Sequence, residues 1–187
     1  MSATESELWL ANARRARINY LETLTPENYQ THHRVLMDLY DACRLRHVPE
    51  VQAEAERLFS LVNETYRLCQ DGFSFTGVFK IDSTLTVAIP PLDITMENSL
   101  EVYRAVRVLI DHSIFPVIQM RRVKFIDSTG VGILMKLSMK LQEATSERLW
   151  LSGPSRAISR LKGILGQAFT ELPDLNTAWD KRQESTP

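Results

Sequence analysis

The chain has 187 residues, of which 44% are hydrophobic and 24% are charged, and its 22 basic and 23 acidic side chains leave a formal net charge of −1. This apolar content is enough for a folded core and excludes disorder over the whole chain. The near-neutral balance argues against a nucleic-acid-binding protein, which normally carries a basic surface. No apolar run approaches the roughly 20 residues that cross a bilayer, so we expect no membrane segment.

The cysteines and histidines do not indicate a metal or cofactor site. Cys43 and Cys69 form no Cys-x-x-Cys pair, and His32, His33 and His47 show no ligand spacing. The isolated cysteines and the absence of a recognisable secretory signal predict a cytoplasmic protein. No cofactor is expected.

The first 71 residues are predicted to form an all-helical region. Residues 1–70 contain no glycine and no lysine, whereas all 7 glycines of the chain follow. Such composition is typical of helices, and we place three of them at about 5–24, 25–47 and 49–70. The third carries an apolar stripe at alternating steps of four and three, formed by Val51, Ala55, Leu58, Val62, Thr65 and Cys69. Because apolar residues also lie outside the stripe, we expect this helix to pack on the second region or on another copy of the chain, which would form a homo-oligomer.

Residues 72–180 alternate between strand-like and helix-like patterns. Strands are predicted at 73–81, 84–89, 114–120, 148–151 and 166–171, and helices at 97–112, 129–143 and 155–165. The first two strands form a hairpin, 114–120 is a buried central strand, and 166–171 is an edge strand. This order predicts an α/β domain with a mixed β-sheet covered by α-helices. Residues 181–187 are expected to be a flexible tail.

The most informative motif is Asp127-Ser128-Thr129-Gly130, which lies between an apolar lead-in and an apolar helix. Free backbone N–H groups and the positive end of the helix dipole meet at such a helix start, which can stabilise a phosphate. Gly130 is expected to leave the turn open to an approaching enzyme. The same residue types are also the usual helix caps, so the tetrapeptide alone leaves both interpretations open.

In its context the motif resembles a known family. Phe125-Ile-Asp-Ser-Thr-Gly-Val-Gly-Ile-Leu134 is similar to the central motif of the STAS domain of anti-sigma factor antagonists. Leu85–Ile89 followed by Pro-Leu-Asp93, and the segment 148–155, fall in the family's order. The resemblance covers roughly residues 75–180 and implies the STAS fold. Pro90-Pro91 departs from the family's usual glycine–acid pair.

The resemblance implies a regulatory binding protein of a bacterial partner-switching pathway, not an enzyme. A serine kinase that is also the anti-sigma factor would phosphorylate Ser128, with Thr129 as the alternative acceptor, and a serine phosphatase would reverse the modification. The unphosphorylated domain would bind the kinase through Asp127, Ser128, Thr129, Gly130 and Val131. Phosphorylation would release it.

A second interpretation is a co-antagonist scaffold like those of stressosome complexes, in which the N-terminal helices act as a sensor or oligomerisation module.

Three basic residues, Arg121, Arg122 and Lys124, precede the motif. One interpretation is that they meet an acidic partner surface or the Ser128 phosphate, and the other is that they are ordinary turn residues. No acid/base pair or nucleophile with a placed base supports catalysis.

Overall fold

The computed structural model describes residues 3–24, 33–34, 37–38, 40–42, 45, 49–82, 84–112, 115–153, 155–161, 163 and 168–185. The chain divides into two compact units, Met1–Gly72 and Phe73–Pro187.

The first unit contains two long described helices, α1 at Ala3–Thr23 and α2 at Pro49–Gln70. These confirm the first and third predicted helices. The predicted helix at 25–47 lies mostly outside the described residues, and its described parts 33–34, 37–38 and 40–42 are helical.

The predicted stripe of α2 is buried, except for Cys69, which is partly buried. Two polar contacts join it to α1. The hydroxyl of Tyr20 donates to Oγ1 of Thr65 at 2.8 Å. Nε of Arg17 lies 2.8 Å from Oε1 of Glu54, and both side chains are buried. Because a buried charge is costly without its counter-ion, this ion pair holds α1 and α2 in one arrangement.

The second unit is built on a five-stranded mixed sheet. Its strands are β1 (Gly77–Lys80), β2 (Leu85–Ile89), β4 (Phe115–Gln119), β6 (Leu149–Ser152) and β7 (Phe169–Leu172), in the spatial order β1-β2-β4-β6-β7. β1 pairs antiparallel with β2, and the remaining pairs are parallel. The predicted hairpin, central strand and edge strand are therefore confirmed.

A second, two-stranded parallel sheet pairs β3 (Asp93–Ile94) with β5 (Phe125–Ile126). The helices are α3 (Ser99–His112), α4 (Ser128–Thr145), α5 (Arg156–Ser159) and α6 (Leu175–Ser185). The helix predicted at 155–165 is thus represented by α5, and residues 162 and 164–167 lie outside the described part.

The core of this unit lies between the sheet and helices α3 and α4. All five residues of β2 and all four of β6 are buried, as expected for central strands covered by helices. The helices contribute apolar side chains at helical spacing. The core includes Val102, Val106, Leu109, Ile118, Leu134, Leu137, Leu141, Leu149 and Leu151.

The expected flexible tail at 181–187 is wrong over residues 181–185, which form the end of α6. This helix contacts β4, β6 and β7. Nη2 of Arg182 lies 2.7 Å from Oδ2 of Asp82, and its Nε donates to Oγ1 of Thr84 at 2.6 Å. The guanidinium also lies 4.7 Å from the ring centroid of the buried Trp179. A polar sequence is helical here because long-range contacts hold its last turns.

The first predicted strand starts later than expected. Gly72 and Phe73 both have a positive φ, of 61° and 58°. Phe73, the first residue of the predicted strand, is therefore not extended, and β1 begins at Gly77.

Candidate functional site

Asp127 is the structural centre of the motif. It is the N-cap of α4, with extended backbone, and its Oδ1 accepts from the N–H of Gly130 at 2.8 Å. Its Oδ2 accepts from the N–H of Met96 at 2.9 Å, although 31 residues separate the two. Its own N–H donates to the carbonyl of Ile94 at 3.1 Å. One carboxylate therefore joins the first turn of α4 to the turn between β3 and α3.

These hydrogen bonds favour the charged form of the carboxylate. The N–H of Gly130, assisted by those of Met96 and Thr129, lowers the pKa of Asp127 below its ordinary value of 3.8, and partial desolvation opposes the shift only in part. At neutral pH a negative charge is thus held directly beside Ser128. The carboxylate already accepts from the N–H groups of Gly130 and Thr129, which the helix start would otherwise offer to a phosphate.

Ser128 and Thr129 are the first two residues of α4, and both side chains are exposed. Their hydroxyls are therefore accessible to a modifying enzyme. Val131, in the same turn, is half-buried and packs against the core. The structure brings the five predicted site residues together on one turn.

Gly130 has a different role from the one expected of it. It is buried, and a Cβ built on it would lie 2.8 Å from Cγ1 of Ile126 and 2.8 Å from the carbonyl oxygen of Ile94. The missing side chain therefore lets α4 pack closely on β3 and β5, and does not clear a path from solvent.

Two exposed apolar side chains adjoin the motif, and neither was predicted from the sequence as a site residue. Met96, whose N–H binds Asp127, is 73% exposed, and Phe125, two residues before Asp127, is 53% exposed. Phe125 lies opposite Asp93 in the short sheet, while its neighbour Ile126 packs against the core. The alternation of side chains along a strand would have placed Phe125 outward, had so short a strand been recognised.

The basic residues before the motif differ in their exposure to solvent. Arg121 is exposed, and its Nη2 donates to the carbonyl of Pro173 at 3.3 Å. Lys124 is exposed. Arg122 is buried, and its Nη1 donates to Oε1 of Gln119 at 3.2 Å. Arg122 is therefore part of the packing of the second unit and is not presented to solvent.

Among the residues that the structure describes, no group of three or more His, Cys, Asp and Glu side chains could hold a metal ion. None of the described helices is long and apolar enough to span a membrane.

No family model matches the chain, and no curated protein matches it. The solved structures that resemble the chain include the following two. The unphosphorylated form of the anti-sigma factor antagonist SpoIIAA is 17% identical, with a TM-score of 0.49, over 60% of this chain and 99% of that one. A Thermotoga maritima protein described as a candidate anti-sigma factor antagonist is 15% identical, with a TM-score of 0.45, over 57% of this chain and 92% of that one.

Proposed function

We propose that this protein is a regulatory binding protein of a bacterial partner-switching pathway, controlled by phosphorylation of Ser128. The observation that carries the proposal is an exposed serine at the start of α4, directly after a carboxylate held in its charged form, on a surface with exposed apolar side chains. The resemblance of the motif to that of anti-sigma factor antagonists supports the same function.

In the unphosphorylated state the surface around Ser128 binds a protein partner, a serine kinase that is also an anti-sigma factor. Ser128 and Thr129 present small hydroxyl groups, and Met96 and Phe125 present apolar area. Burial of that area stabilises the complex, and an exposed aromatic ring is a typical anchor in an interface. Binding sequesters the partner, which frees its sigma factor and so changes transcription.

Phosphorylation of Ser128 breaks this complex. The modification adds about −1.5 to −2 charges at neutral pH. The Asp127 carboxylate already accepts from the N–H groups of Gly130 and Met96. The phosphate therefore gains these donors only by displacing Asp127, and otherwise two anions lie side by side. A partner would bury both, and an uncompensated buried charge costs about 3–5 kcal/mol, or at least a hundredfold in affinity. A serine phosphatase restores the binding state.

A stressosome-like co-antagonist scaffold is the second candidate. The separate compact helical unit that precedes the α/β unit favours it, because such a unit can serve as a sensor or an oligomerisation module. In that case the helical unit is the sensor, or it forms the homo-oligomer. Both candidates act in the bacterial cytoplasm and neither is an enzyme.

Peptide mass spectrometry of the protein from its native host tests the proposal. We expect a phosphate on Ser128, lost in the Ser128→Ala variant and retained in Thr129→Ala, the matched control with the neighbouring exposed hydroxyl. Phosphate on Thr129 alone would move the acceptor by one residue. An unmodified chain in every growth condition would remove the phosphorylation switch and favour the scaffold.

A further inference from the structure

The chain enters the α/β unit through a strained residue. Gly72 adopts its φ of 61° at no steric cost, but Phe73, with a φ of 58°, carries a bulky side chain in the left-handed region. Such a conformation persists only where the surrounding contacts over-determine it. Phe73 is 1% exposed, so burial of its ring supplies those contacts.

The ring of Phe73 is in contact with Arg122. The guanidinium carbon of Arg122 lies 5.6 Å from the ring centroid, within the range of a cation–π interaction. Arg122 is only 8% exposed, and its Nη1 donates to the fully buried Gln119 at the end of β4. A cation–π contact is stronger where water is excluded, so this pair is a specific contact and not a surface encounter.

Arg122 belongs to the segment that leads directly into the Ser128 site, five residues before Asp127. Backbone hydrogen bonds hold this segment along its length. The N–H of Lys124 donates to the carbonyl of Leu92 at 2.7 Å, and the N–H of Asp127 donates to that of Ile94 at 3.1 Å. A displacement of Arg122 therefore strains the bonds that position Asp127.

We propose that the Phe73–Arg122 contact is a coupling device through which the joining segment, residues 71–76 between α2 and β1, controls the Ser128 site. With the ring beneath Arg122, the β4–β5 segment is held and Asp127 is in its capping position. When the joining segment withdraws the ring, the bonds of Lys124 and Asp127 open more often and the partner-binding surface loses its order. The regulatory meaning of this coupling rests on the function proposed for Ser128, whereas the coupling itself is a property of the fold.

Amide hydrogen exchange on the full-length protein tests the coupling. The variants are Phe73→Leu, which removes the ring and keeps an apolar side chain, and Arg122→Gln, which removes the cation. We expect the exchange of the Lys124 and Asp127 amides to accelerate about tenfold in each variant. The double variant should show less than the product of the two effects, because both substitutions remove the ring–cation contact and only Arg122→Gln also removes the hydrogen bond to Gln119. Arg122→Lys, which keeps a cation over the ring, should restore most of the protection.

Phe79→Leu is the matched control, because Phe79 is also a buried phenylalanine of this unit but lies in β1. It should not act selectively on Lys124 and Asp127. Unchanged exchange of these two amides in Arg122→Gln would overturn the coupling, and so would acceleration of equal size in β6 and β7. If Phe73→Leu does not fold, Arg122→Gln and Arg122→Lys decide the question.

The two proposals fail separately. If amide exchange accelerates selectively at Lys124 and Asp127 but Ser128 is unmodified in the host, the coupling stands and the phosphorylation switch is excluded. A phosphorylated Ser128 without the exchange effect would do the reverse.

Discussion

Two glycines of α4 lie two positions apart and have opposite surroundings. A Cβ on Gly130 would meet Ile126 and the backbone of Ile94 at 2.8 Å, whereas a Cβ on Gly132 would meet nothing within 4 Å. Close contact with a backbone oxygen cannot be relieved by a side-chain rotation. The first glycine is thus required by packing and the second is not.

We expect Gly130→Ala to lower the free energy of unfolding by about 1–3 kcal/mol, because it overpacks the contact between α4 and the short sheet. Gly132→Ala should raise it by about 0.5–1 kcal/mol, since alanine is the better residue inside a helix. Urea unfolding of both variants measures the difference. Equal effects of the two substitutions would contradict the packing argument.

The partner surface can be tested with two methionines of similar exposure. Met96 adjoins Asp127 and is 73% exposed, and Met139, farther along α4, is 58% exposed. If Met96 lies at the centre of the interface, Met96→Ala should weaken partner binding by about 2 kcal/mol, or more than tenfold, as for a binding hot spot. Met139→Ala should leave the affinity unchanged.

Isothermal titration with the partner recovered from the host gives both affinities. Equal losses in the two variants, or none in either, would place the interface elsewhere on the molecule.

At the scale of elements, α6 is attached to the hairpin by one charged cluster. Oδ1 of Asp82 accepts from the N–H groups of Thr84 and Leu85 and from the Thr84 hydroxyl, and Oδ2 meets Arg182. Burial of Asp82 raises the pKa of its carboxyl, but the hydrogen bonds from Leu85 and Thr84 and the charge of Arg182 outweigh it, so the pKa is lowered from 3.8. The folded state therefore favours the charged carboxylate.

This shift gives a pH dependence with a definite sign. The stabilisation is complete above the unfolded-state pKa of Asp82, near 3.8, and it is lost as the pH falls through the lower folded-state value. We expect the free energy of unfolding to decrease below about pH 4 and to decrease less steeply in Asp82→Asn. Urea unfolding at a series of pH values measures this.

Arg182→Gln removes the charge beside Asp82 together with the hydrogen bond to Thr84 and the contact with Trp179. We expect it to reduce the loss of stability in acid in part and also to destabilise the protein at neutral pH. If the free energy of unfolding falls as steeply below pH 4 in both variants as in the wild type, Asp82 is not responsible for the loss of stability in acid.

At the scale of the whole molecule, the two proposed functions differ in the size of the particle. A partner-switching regulator with one exposed binding surface is expected to be a monomer or a dimer, because larger assembly is not needed for one partner. A scaffold is expected to be of megadalton size. Light scattering of the full-length protein decides between them, and a large particle would favour the stressosome-like function.

Much of the fold follows from local patterns in the sequence. The strands at 85–89 and 115–119 and the helices at 49–70 and 128–145 were predicted within a few residues, because their apolar periodicity is long enough to be recognised. The short sheet was not predicted, because a strand of two residues has no periodicity to detect. The left-handed pair at Gly72 and Phe73 was missed because phenylalanine does not favour that conformation.

The candidate site was partly predictable because its motif is local in the sequence. Asp127 caps the helix that it directly precedes, and Ser128 and Thr129 begin it, so a motif within one turn contains that information. The contact of Asp127 with Met96 and the outward position of Phe125 were not predictable, because they depend on residues brought together by the sheets.

The sequence by itself determined the mixed α/β unit, the helices that precede it and the motif at the start of α4, because each depends on neighbours within a few residues. Only the tertiary structure decided that Gly130 faces inward, that Arg122 covers Phe73, and that residues 181–185 are helical. These features depend on pairs far apart in the chain, such as Arg182 and Asp82. Their contact energies exist only once the packing of the sheet has placed them side by side.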